Sequence, residues 1–78
     1  MNQKEALTWI AVLFEESPEK IQPDTKREAI PAWDSLGVLT LMAALDEKFD
    51  TLLTEEEMQT MQSVQDILNV LNKNDKIG

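Results

Sequence analysis

The chain has no cysteine, no histidine and no tyrosine among its 78 residues. Without cysteine there is no disulfide framework and no thiolate metal site. Without histidine the commonest acid/base group and metal ligand is missing as well. A catalyst acting alone is therefore not expected, nor is a metal centre. No apolar run approaches the roughly 18 residues of a membrane span, and no basic region followed by an apolar block opens the chain. Glycine-rich phosphate loops, calcium loops, strand alternation and internal repeats are also absent. The expectation is one small soluble cytoplasmic domain over 1–78, a monomer whose thin core removes about 60–65% of the unfolded surface from water.

Basic residues are scarce: seven against fifteen acidic ones, for a formal charge of −8. This balance argues against nucleic acid or anionic lipid as a partner and for basic proteins. Between Asp34 and Glu57 lie Asp34, Asp46, Glu47, Asp50, Glu55, Glu56 and Glu57 with Lys48 as the single base, so −6 of the −8 falls there.

What the chain does contain is helical spacing. From about Gln3 to Glu16 the residues Ala6, Leu7, Ile10, Leu13 and Phe14 share one face, with Trp9 and Val12 flanking it, and Ser17-Pro18 ends the helix. The 17 residues from Ser17 to Trp33 hold all three prolines, with Ile21 and Ile30 as expected core anchors. Asp34 is a favourable N-cap, which puts Ser35 at the first helical position. A phosphate on the Ser35 hydroxyl would sit at the positive end of a helix, where amides lack partners. Val38, Leu41, Met42, Leu45 and Phe49 form the core face of that helix, and Trp33 is placed to staple onto Val38. Leu36, Leu39 and Ala43 fall on the opposite side among polar residues. Thr54-Glu55-Glu56-Glu57 is a capping-box pattern for a short helix to about Met61, with Met58 and Met61 inward. Ser63-Val64-Gln65-Asp66 opens a last helix striped by Val64, Ile67, Leu68 and Leu71. The tail from Asn72 to Gly78 is polar and expected to fray. The fold class expected is all-α, a small four-helix bundle of three longer helices and one short one with a long first loop.

Asp34-Ser35-Leu36, opening a helix that closes with Asp46-Glu47-Lys48-Phe49-Asp50, resembles the acyl carrier protein family. The similarity runs ungapped from about Asp34 to Leu71, while the first helix matches in position and pattern only. The resemblance implies that Ser35 carries a 4'-phosphopantetheine arm, moved there from coenzyme A by a phosphopantetheinyl transferase. It further implies that acyl, aminoacyl or polyketide intermediates ride on the arm as thioesters. The implied partners are acyl-loading ligases or transferases and synthase enzymes with basic docking patches. Carried over by position, the partner-facing residues are Asp34, Leu36, Leu39, Asp46, Glu47, Leu53 and Glu55. An acyl chain slipped between the helices would meet Leu41, Leu45, Met58, Met61 and Ile67. Gly37 and Thr40 stand where fatty-acid-synthesis carriers usually have acids, and Ala43 stands where they have methionine. The Trp33–Gly37 run is instead similar to specialised stand-alone carriers. The alternative from another class is an unmodified acidic helical interaction module, in which Ser35 is only a good helix start.

Overall fold

Four α-helices pack around one apolar core in the computed structural model, which describes residues 1–74: α1 (Gln3–Leu13), α2 (Ser35–Phe49), α3 (Glu55–Gln59) and α4 (Val64–Lys73). No strand occurs among the described residues, only a single bridge between Lys26 and Ser63. The bundle measures 26 × 25 × 18 Å. Its core draws Ala6 and Ile10 from α1 and Phe14 from its C-cap, Val38, Leu41, Leu45 and Phe49 from α2, Met58 from α3 and Val64, Ile67, Leu68 and Leu71 from α4. Every residue of the expected α4 stripe is fully buried.

Helices α1, α2 and α3 begin on a side-chain cap, and a carboxylate braces the entry to α4. For α1 the cap is Asn2, whose Oδ1 accepts the Glu5 N–H at 2.8 Å while Glu5 Oε1 accepts the Asn2 N–H at 2.9 Å. This reciprocal pair satisfies two amides that the helix leaves unbonded. The Asn2-x-x-Glu5 spacing is a signal the sequence reading passed over. At α3 Thr54 Oγ1 accepts the Glu57 N–H at 3.1 Å, as the capping-box pattern requires. At α4 the Asp66 carboxylate accepts the N–H groups of Gln62 and Ser63 at 2.8 and 3.2 Å.

Several boundaries and faces differ from expectation. Helix α1 stops at Leu13, short of Glu16, because Glu15 turns left-handed at φ 56°. The Glu16 N–H then folds back onto the Ala11 carbonyl at 2.8 Å and the Glu15 N–H onto Val12 at 3.1 Å, a Schellman closure. Ala11 is buried beside the stripe, while Leu7, Leu13 and Met42 are only half-buried. Helix α3 ends at Gln59, two residues before Met61, with the Thr60 hydroxyl bonding the Glu57 carbonyl at 2.7 Å. Asn72 and Lys73 are helical, where fraying was expected, and the last four residues of that tail lie outside the described residues.

The long connection is ordered by its prolines and by α4. Pro18 opens a single 3₁₀ turn (Pro18–Lys20). Pro23 and Pro31 each stand second in a β-turn, closed by Thr25 N–H to Gln22 O and Trp33 N–H to Ile30 O, both at 3.0 Å. Proline's fixed φ suits that corner. A second 3₁₀ turn covers Arg27–Ala29. Between them the chain lies on the start of α4, where Val64 and Gln65 donate to the carbonyls of Thr25 and Pro23 at 2.9 and 2.8 Å and Arg27 N–H donates to Gln62 O at 2.8 Å. Ile21 and Ile30 are buried anchors, as expected. Trp33 is 3% exposed and stacks on Phe14, ring centroids 5.3 Å apart.

Candidate functional site

The start of α2 is built from both sides. Asp34 is extended, and its Oδ1 accepts the Gly37 N–H at 2.9 Å. Behind the first turn, the backbone at Ala32 comes so close that a Cβ on Gly37 would lie 1.9 Å from the Ala32 carbonyl oxygen. Gly37 is buried for this reason, and the small helix-propensity penalty of a glycine is outweighed by a contact that no side chain permits. Trp33, held by Phe14, and Arg27, whose Nε–H donates to the Trp33 carbonyl at 3.2 Å, fix the segment entering the helix.

Ser35 follows directly, exposed, its hydroxyl making no hydrogen bond among the described residues. The Ser35 and Leu36 amides precede the first intrahelical bond, Val38 N–H to Asp34 O at 2.9 Å, and take no acceptor among the described residues. A tetrahedral anion attached at Ser35 Oγ fits this arrangement: the oxygen is accessible and the adjacent amides carry the positive end of the helix. No histidine or cysteine exists to activate the hydroxyl as a nucleophile.

Along the same side of α2, Leu36 is 73% exposed and Leu39 53%, with Ala43, Asp46 and Glu47 exposed beyond them. Glu55 is exposed at the start of α3, whereas Leu53 is half-buried against the core. Leu52, at 77%, is the most exposed large apolar side chain among the described residues and was not singled out from the sequence. Among the described residues Asp46, Glu47, Asp50, Glu55 and Glu56 are exposed and make no ion pair. Leu41, Leu45, Met58, Met61 and Ile67 converge in the core, all buried, and only Met61 borders surface depressions.

An exposed serine opens a capped helix whose outer side carries exposed leucines and, towards its far end, exposed acids. No family model matches the chain. It is 32% identical over 76 residues to the acyl carrier protein of Thermosynechococcus vestitus, covering 92% of this chain and 94% of that protein. It is 32% identical over 56 residues to the acyl carrier protein of Campylobacter concisus, covering 72% and 73%, and 29% over 59 residues to that of Bdellovibrio bacteriovorus, covering 76% of each. The chain belongs to the acyl carrier protein family and is a carrier, not a catalyst. Members of the family generally carry a phosphopantetheine group and partner with synthesis enzymes and a transferase. No helix among the described residues is long and apolar enough to cross a membrane.

Proposed function

We propose that the protein carries acyl intermediates as thioesters on a 4'-phosphopantetheine arm attached to Ser35. The observation that carries this reading is the exposed, unbonded Ser35 hydroxyl beside first-turn amides that have no acceptor. In the attachment step Ser35 Oγ is the acceptor: its bond to the phosphopantetheine phosphorus forms as the pyrophosphate bond of coenzyme A breaks and adenosine 3',5'-bisphosphate leaves. The hydroxyl proton passes to a base of the transferase, since this chain supplies none. When bound, the group supplies the thiol that holds the cargo. The chain's own residues do the rest. Asp34 holds the first turn in place, Gly37 admits the loop behind it, and the Ser35 and Leu36 amides favour the negative charge.

Docking is assigned to Asp34, Leu36, Leu39, Asp46, Glu47, Leu53 and Glu55, facing basic patches on the transferase, a loading ligase or acyltransferase, and synthase enzymes. Long-range attraction of that kind raises association rates and weakens with salt. The absence of acids at Gly37 and Thr40 favours a specialised cytoplasmic pathway over housekeeping fatty acid synthesis. A fatty cargo would be sheltered among Leu41, Leu45, Met58, Met61 and Ile67, where the flexible thioethers can repack around a chain.

Incubation with coenzyme A and a broad-specificity phosphopantetheinyl transferase, followed by intact-mass measurement, tests the reading. One added phosphopantetheine in the wild type and none in Ser35→Ala is the expected outcome. An unmodified wild type would leave the acidic docking module as the better description.

A further inference from the structure

Arg27 is the chain's single arginine, and the fold fixes it on the segment leading to Ser35. Its Nε–H is taken by the Trp33 carbonyl at 3.2 Å and its guanidinium lies 5.8 Å from the centre of the Trp33 ring. The two terminal amino groups have no partner among the described residues. Arg27 and Trp33 border an open depression of about 620 Å³, between the long connection and the α3–α4 turn, a volume in the range of small-molecule sites. Lys26 adds a second cation on its wall against one acid, Glu28, which reverses the charge balance of the chain as a whole. Met61 and Ile30 supply apolar wall. The Trp33 ring also lines the depression, while its indole N–H is turned away from solvent, buried with no hydrogen-bond acceptor among the described residues.

We propose that this depression seats the carboxylate of a carboxyacyl cargo tethered through Ser35, an inference that rests on the thioester-carrier reading above. A guanidinium held by its Nε leaves a planar pair of donors, which suits the two oxygens of a carboxylate better than a hydroxyl or a methyl end. The cargo's methylenes lie on Met61 and Ile30. Tethering two residues downstream of Trp33 supplies the high local concentration that a shallow, solvent-open site needs.

The test compares the chain loaded with succinyl and with butyryl groups, equal in carbon number, from the corresponding coenzyme A thioesters. Loading is first verified by mass, so a failure of the carrier reading shows there, before any spectrum. Amide and side-chain ¹H–¹⁵N spectra are then referenced to the holo form. The succinyl cargo is expected to displace the Trp33 indole and Arg27 Nε resonances, the butyryl cargo to leave them in place, and the Trp9 indole to stay still in both. Arg27→Gln is expected to lose the succinyl-specific displacement. Equal displacement by both cargoes, no displacement by the succinyl cargo, or its persistence in Arg27→Gln would each overturn the assignment. Should that variant not fold, the paired wild-type spectra decide alone.

Discussion

Two helices of this small protein open beside a serine, and the two starts are finished in opposite ways. At α4, Ser63 is half-buried and its amide donates to Asp66, while Val64 and Gln65 donate to carbonyls of the long connection. At α2, Ser35 is exposed and neither it nor Leu36 finds an acceptor for its amide among the described residues. Ser63 is the N-cap of its helix and Ser35 the first helical residue of its own, so the amides that correspond are Val64 and Gln65 in α4 and Ser35 and Leu36 in α2. What differs is whether the protein spends those amides on its own loop or leaves them for something added, and only the second arrangement is suited to carrying a phosphate.

The support beneath each start differs too, and mutation can separate the two. Gly37→Ala should have the largest effect on stability, about 2–3 kcal/mol, because its Cβ would meet the backbone of the loop that braces α2. In thermal unfolding that is a fall of about 10–20 °C. An unchanged Tm would mean that the loop yields freely. Asp66→Ala strikes the other start by removing the acceptor of two amides. A loss of about 1–2 kcal/mol in urea unfolding is expected, with the rate of Ser35 modification unchanged while the protein stays folded. If Asp66→Ala slowed modification as much as a change beside Ser35, the two helix starts would not be independent. The smallest stability effect is expected from reversing Asp46 and Glu47 to lysine, since exposed positions usually contribute within about 0.5 kcal/mol. The same double variant should lower transferase kcat/KM about tenfold at low salt and less at high salt. Wild-type rates at low salt would reduce the acidic face to a solubility device.

Much of this arrangement could be read from the order of residues, because it is local. The Asp34 cap, the Thr54–Glu57 box and the α4 stripe are each written within a few positions, and the structure has all three. The exposed leucines at 36 and 39 follow from the same 100° step that buries Val38 and Leu41. What was not legible depends on contacts between distant segments. Gly37 reads as a weak helix residue until the Ala32 carbonyl is seen against it. Glu15 carries no turn signal of its own, yet it adopts the left-handed conformation usually given to glycine, and it ends α1 early. The long connection reads as a possible loose loop by length alone, but its hydrogen bonds run to α4, more than 30 residues away.

The contrast between the two serines can be put to one direct measurement. The wild-type protein is modified by the transferase with coenzyme A, digested, and the fragment bearing the added phosphopantetheine is sequenced by mass spectrometry. The chain has serines only at 17, 35 and 63, so the three sites fall apart cleanly. The added mass is expected on Ser35 alone. Its appearance on Ser63 or Ser17, or on no serine, would contradict the claim that the unfinished start of α2 is what makes this protein a carrier.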